Sequence, residues 1–201
     1  PKWSDATWIE DQDHWFHGGL HRSLWIERKE SLHISDVHLV CDFDPGDFGG
    51  SIEGKILISQ PKRGLSTNII LETLSGKIIT ESGQLEVSVS KSDSPLEELL
   101  ESYSFTGVQS TFVLEDLPIE PWTSETPNLY NVFIELFDEE GNCQEVISQR
   151  VGFRRVEVKE RELRINGKAI VIHGVNRHDH HPITGKTQTK NELKEELISM
   201  K

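Results

Sequence analysis

Between Ser35 and Arg155 apolar and polar residues alternate, the mark of strands with one face in a core and the other in water. Val37, Leu39, Cys41 and Phe43 share one face of such a run; so do Ile52, Ile56 and Ile58, then Leu85, Val87 and Val89. The clearest run is "LYNVFIELF", where Tyr130, Val132, Ile134 and Leu136 fall on one side before the turn residues "DEEGN". Turn-forming clusters separate the runs: "DPGDFGG" at 44–50, "QPKRG" at 60–64 and "LSGK" at 74–77. About seven strands without a long helix predict an antiparallel β-sandwich of immunoglobulin type, with "PLEELLES" (95–102) as a possible helical excursion.

After Arg155 the pattern changes. "LRINGKAIVI" reads as a hairpin around Asn166-Gly167, a pair suited to a tight primed turn. "IVIHGV" then reads as a short strand buried on both faces, as in a parallel sheet. In "TKNE", Thr189 and Glu192 have capping-box spacing, and Leu193 and Leu197 follow one helical turn apart. Strand, polar loop and capped helix make one βα unit of a barrel or doubly wound sheet, folds that place their chemistry at the carboxyl ends of strands.

Composition narrows the partners. The 201 residues suffice for one good core or one core plus fragments. The formal net charge of −13 would repel a phosphate backbone, which speaks against nucleic acid. No apolar run approaches the roughly 18 residues of a membrane span, and the first residues lack signal-peptide character. Cys41 and Cys143 lie far apart, without Cys-x-x-Cys spacing, as expected of a protein from a reducing compartment such as the cytoplasm. The start at Pro1, the four tryptophans within the first 25 residues and the stop within a helical pattern suggest a piece of a longer protein.

The chemistry-bearing stretch is "HGVNRHDHHP", His173 to Pro182, which holds four of the nine histidines. Three readings fit it. His178 and His180, two apart on a strand, could face one zinc with His181 or Asp179 nearby, as in a barrel metallohydrolase. The segment could be a polar loop without chemistry. Or its imidazole, amide and guanidinium groups, on Asn176, Arg177 and His178, could bind a polyhydroxylated ligand. "WIEDQDHW" (Trp8 to Trp15) favours the last, because carboxylates accept hydrogen bonds from sugar hydroxyls while indole faces cover sugar C–H patches. A non-catalytic sandwich module remains a further alternative.

"WSDATWIEDQDHW", "PWTSETPNLY" and "VGFRRVEVKERELRINGKAIVIHGVNRHDHHPITGK" occur in an order and at separations that resemble family 2 glycoside hydrolases of the large β-galactosidase type, over essentially the whole chain. The resemblance implies three parts. Residues 1–32 would end an N-terminal jelly-roll sugar-binding domain, 33–153 would form the immunoglobulin-like sandwich, and 154–201 would start a catalytic (β/α)8 barrel. It makes Asp13 similar to an aspartate that contacts the galactosyl 6-hydroxyl and a sodium ion. His178 is similar to a histidine that holds galactosyl hydroxyls, with Asn176 and Arg177 shaping the same edge. The stretch "SKSDSPLEELLESYSFTG" (90–107) departs from the loop that, in well-known relatives, reaches a neighbouring subunit's active site, so the expected homo-oligomer does not follow from this segment.

Retaining glycosidases use two carboxyl groups roughly 5–5.5 Å apart, one as nucleophile and one as acid and then base. By the resemblance both are glutamates on later barrel strands, neither of which this chain holds, and the magnesium ligands would also lie downstream. The expectation is a β-galactosidase segment acting on galactosides such as lactose, inactive by itself.

Overall fold

The structure, a computed structural model, describes residues 20, 23–59, 63–87, 108–178 and 180–200. The expected helix at 95–102, the tryptophan-rich opening segment and strand position Val89 lie outside them. The chain divides into two compact units, Lys29–Ile172 and a second whose described part is chiefly residues 173–178 and 180–200.

In the first unit the alternating runs fold into two antiparallel sheets. One has the order β1 (Ile34–Asp44), β2 (Gly49–Ile58), β6 (Val108–Leu117). The other pairs β3 (Ser66–Thr73) with β7 (Tyr130–Phe137), with β8 (Cys143–Val151) beyond β7 and the short β4 (Ile78–Glu81) and β5 (Leu85–Glu86) on the far edge of β3. Hairpins β1–β2, β3–β4 and β7–β8 join neighbours within a sheet, while β2–β3, β5–β6 and β6–β7 cross between sheets. This is the pattern of an immunoglobulin-like sandwich, and the fold class follows the alternation of the sequence.

Register explains which residues form the core. Ile69 pairs with Ile134 and Leu71 with Val132, and all four are fully buried. Ile52, Ile56 and Ile58 meet them from β2, also fully buried. Two residues apart on a strand means the same face, so a one-residue slip would turn every one of these side chains to water. The core also holds one polar pair from opposite sheets, Thr67 and Ser110, whose hydroxyls lie 3.1 Å apart and satisfy each other. Both cysteines are free, and burial pushes the Cys41 thiol up to about 11, so it stays protonated near neutrality.

Two details fix the packing of the sandwich. The Tyr130 hydroxyl accepts a hydrogen bond from the Glu120 amide at 2.7 Å, and its ring packs edge-on against Phe153 with centroids 5.4 Å apart. This is a tyrosine corner, the device that holds the crossing into the equivalent strand of immunoglobulin-like domains. In the middle of the other sheet, Gly54 of β2 pairs with Phe112 of β6, whose ring lies across the glycine.

A three-stranded meander follows: β9 (Val156–Lys159), β10 (Glu162–Ile165) and β11 (Lys168–Ala169). The predicted Asn166-Gly167 turn is present, with φ of 50° and 77° as a primed turn requires. Asn166 does more than turn the chain: its amide oxygen accepts from the Arg155 N–H at 2.9 Å and its amide nitrogen donates to the Trp122 carbonyl at 3.0 Å. The Arg155 guanidinium bridges Asp42 and Asp44 at the end of β1, with Nη2 to Asp42 at 2.5 Å and Nη1 to Asp44 at 3.0 Å. These bonds bind the meander to the sandwich. The Asp44 carboxyl is held below its ordinary range by the Gly46 N–H first and by Arg155 second.

The expectation of a buried strand in "IVIHGV" is not met. Among the described residues, 170–178 lie in no strand, with one bond from the Ile170 amide to the Leu163 carbonyl, and Val171, Ile172 and Val175 are exposed. A parallel strand takes its hydrogen bonds from flanking strands, and the described residues provide none here.

Candidate functional site

The second unit contains the histidine-rich segment and helix α1 (Lys190–Met200). Thr189 starts the helix. Its hydroxyl lies 3.3 Å from the Glu192 amide, and the Glu192 carboxylate accepts from the Thr189 amide at 2.6 Å and from its hydroxyl at 2.7 Å. The predicted capping box is therefore formed.

The loop before the helix is built around His181. Its backbone exchanges hydrogen bonds with Gly185, at 2.7 and 2.9 Å, and Gly185 takes a φ of 69° that favours glycine. Nδ1 of His181 accepts from the amides of Ile183 and Thr184, each at 3.2 Å. In the neutral ring the proton therefore sits on Nε2, which faces the Glu192 carboxylate at 3.7 Å. His181 braces the loop against the helix cap.

The cap sets a pH dependence. The Thr189 amide first, the Thr189 hydroxyl second and the charge of His181 hold the Glu192 carboxyl below its ordinary value. Because the folded value is depressed, its contribution is complete above the unfolded value of about 4.3 and is lost as pH falls through the folded value. Amide exchange at 190–193 should accelerate selectively below about pH 4. The same acid profile in Glu192→Gln would remove Glu192 as its cause.

Arg177 makes the most extensive side-chain network among the described residues of this unit. Its Nε donates to Glu196 Oε2 at 3.0 Å and its Nη2 donates to the same oxygen. Nη2 also donates to the Gln188 amide oxygen at 3.0 Å, and Gln188 Nε2 donates to Glu196 Oε1 at 2.6 Å. The three side chains thus close a ring joining the histidine segment, the loop and α1. Gln188 is buried, at 8% exposure. On either side of half-buried Arg177, Asn176 and His178 are exposed.

The site residues expected from sequence are thus placed as follows. Asn176 and His178 flank Arg177 on the surface, and Arg177 faces the helix. Asp13, with the sodium site it would complete, and Asp179 lie outside the described residues. His178 and His180 do not sit on a paired strand, and among the described residues no group of three or more His, Cys, Asp or Glu side chains is placed to hold a metal. Sequence reasoning missed Gln188 and Glu196. "KEEL" has the look of a solvated helix face, and no local spacing links it to Arg177.

Comparison with known proteins defines the class. Residues 32–154 match the family described as "Glycosyl hydrolases family 2" and residues 156–201 match "Glycosyl hydrolases family 2, TIM barrel domain". The chain belongs to glycoside hydrolase family 2. Within that family it is similar to β-galactosidases: it is 34% identical over 200 residues to the β-galactosidase of Photobacterium profundum, and 31% over 206 residues to that of Kluyveromyces lactis. The matches cover 100% of this chain and 18% and 20% of those proteins, so the chain spans about a fifth of their length.

Among solved structures, the β-glucuronidase of Parabacteroides merdae aligns with a TM-score of 0.64 at 16% identity, covering 85% of this chain and 19% of that one. A β-glucuronidase of Ruminococcus gnavus in complex with D-glucaro 1,5-lactone aligns at 0.63 and 13% identity, over 83% and 23%. At such identities the likeness shows the shared fold. No helix among the described residues is long and apolar enough to cross a membrane.

Proposed function

We propose that this chain is part of a retaining β-galactosidase that hydrolyses terminal β-D-galactosides such as lactose, and that the exposed edge at Asn176 and His178 binds the sugar. The observation that carries the reading is similarity to β-galactosidases along 100% of the chain. Imidazole and amide groups suit this role, since each offers a directed donor and acceptor to ring hydroxyls. Hydrogen bonds to the sugar that strengthen in the transition state lower the barrier by differential binding.

The remaining parts of the proposal come from the family resemblance. Asp13 joins this edge in contacting the galactosyl group and a sodium ion. The nucleophilic and acid–base glutamates belong to later barrel strands, and the magnesium ligands also lie downstream. The intact enzyme is a cytoplasmic homo-oligomer. Residues of this chain therefore bind and orient substrate, and bond cleavage falls to carboxylates elsewhere; the 201-residue chain alone should release no product from a chromogenic galactoside.

The test uses the full-length protein containing this segment, assayed on chromogenic β-galactoside, β-glucuronide and β-mannoside. Selective galactoside turnover is expected, with His178→Ala lowering kcat/KM by more than about tenfold, as for a lost transition-state contact. Turnover of the glucuronide or mannoside in preference would refute the substrate assignment, and an unchanged kcat/KM in His178→Ala would remove the residue from the site.

A further inference from the structure

We infer that Gln188 and Glu196 are positioning residues for the sugar-binding edge, acting through Arg177. The inference rests on the proposed role of Asn176 and His178, and adds residues to which that role assigns nothing. Its ground is geometric. Arg177 is the half-buried centre of the triplet Asn176-Arg177-His178, and its neighbours are exposed. Among the described residues, segment 173–178 has no strand partner. The guanidinium provides what a ladder would: Nε and Nη2 grip Glu196 Oε2, Nη2 grips the Gln188 oxygen, and Gln188 Nε2 closes the ring on Glu196 Oε1 at 2.6 Å.

The platform beneath the ring is ordered by its own contacts. Glu196 stands on α1, whose first turn is closed by the Thr189–Glu192 box, and Gln188 directly precedes the cap with its amide buried and both ends engaged. The Glu196 side chain is 41% exposed, and an ion pair so open to water contributes little to folding. A planar guanidinium held by two partners nevertheless fixes orientation, which a point charge would not. Holding the side chain of residue 177 fixes the peptide groups on both sides of it, and with them the directions in which Asn176 and His178 leave the backbone. Preorganised groups of this kind avoid reorganisation when the transition state forms.

The experiment is a mutant cycle in the full-length enzyme, read as kcat and KM on a chromogenic β-galactoside. Glu196→Ala should lower kcat about fivefold with KM changed less than about twofold, the signature of a contact expressed in the transition state. Glu196→Gln, which keeps an acceptor for the guanidinium, should recover most of the loss. In a His178→Ala background Glu196→Ala should cost less than about twofold further, because the two act as one unit.

Arg177→Lys tests the same link without touching the helix, since an ammonium cannot span Glu196 and Gln188 together. It should show the same coupling to His178→Ala, including if Glu196→Ala impairs folding. Full multiplication of either loss with that of His178→Ala, or unchanged kcat in both variants, would overturn the inference. An unchanged kcat/KM in His178→Ala alone would instead overturn the reading of the edge on which it rests.

Discussion

Phe153→Ala should destabilise the sandwich by about 3–5 kcal/mol, towards the upper end of that range. The side chain is fully buried, and the cost of removing it depends on how far the surroundings can collapse into the space. They are poorly able to do so. Tyr130, the edge-on neighbour at 5.4 Å, is tethered by its hydroxyl to the Glu120 amide at 2.7 Å and cannot follow the missing ring. On another side Gly50 has no side chain to move: a Cβ built there would lie 3.1 Å from the Phe153 ring. Urea unfolding of the chain should show a lower midpoint with an unchanged slope. Phe153→Leu, which leaves most of the volume filled, should cost roughly half as much or less. A loss below about 1 kcal/mol for the alanine variant would mean that the tyrosine corner does not pack on this ring.

At Gly54 two effects compete, and their sizes decide the sign. Replacing a strand glycine by alanine removes a backbone entropy cost worth about 0.5–1 kcal/mol. Against that, the new Cβ would lie 2.2 and 2.3 Å from two atoms of the Phe112 ring, well inside contact distance. Phe112 is only 5% exposed and pairs directly with Gly54 across β2 and β6, so its ring must be pushed from a packed position. Overpacking of this kind costs typically 1–3 kcal/mol, and Gly54→Ala should therefore be destabilising by about 1–2 kcal/mol net. Shortening the opposing side chain separates the two effects. In a Phe112→Leu background, Gly54→Ala should be neutral or stabilising in the same urea experiment. Equal losses in both backgrounds would show that the ring is not what excludes the methyl group.

The sequence was most legible where structure is set by neighbours along the chain. The alternations at 37–43, 52–58 and 130–136 became β1, β2 and β7 because a period of two permits only one face to be buried. The Asn166-Gly167 turn and the Thr189–Glu192 box were readable for the same reason, each being completed within four residues.

Legibility failed where partners come from afar. "IVIHGV" has the composition of a doubly buried strand, but composition does not provide the flanking strands whose hydrogen bonds make it one. Tyr130 was recognisable as a core-face residue, yet nothing in "LYNVFIELF" tells that its hydroxyl reaches Glu120. Of the candidate edge, Asn176, Arg177 and His178 were visible as polar residues in a suggestive string. The ring that holds Arg177 was invisible, because Gln188 and Glu196 meet it only once the loop has turned back and the helix has formed.

The tight turn at Asn166-Gly167 also bears on how the protein ages. Asparagine followed by glycine is the pair most prone to spontaneous deamidation, since the unhindered glycine nitrogen can attack the side-chain carbonyl and close a succinimide. In the fold the side-chain oxygen accepts from the Arg155 amide and the side-chain nitrogen donates to the Trp122 carbonyl, which together fix the rotamer and oppose the rotation that would bring the side-chain carbon onto the glycine nitrogen. The meander's attachment to the sandwich is thereby also a chemical preservative. Chains that lose it would accumulate aspartate and isoaspartate at position 166, and the rate of that one modification would serve as a clock for opening of the meander.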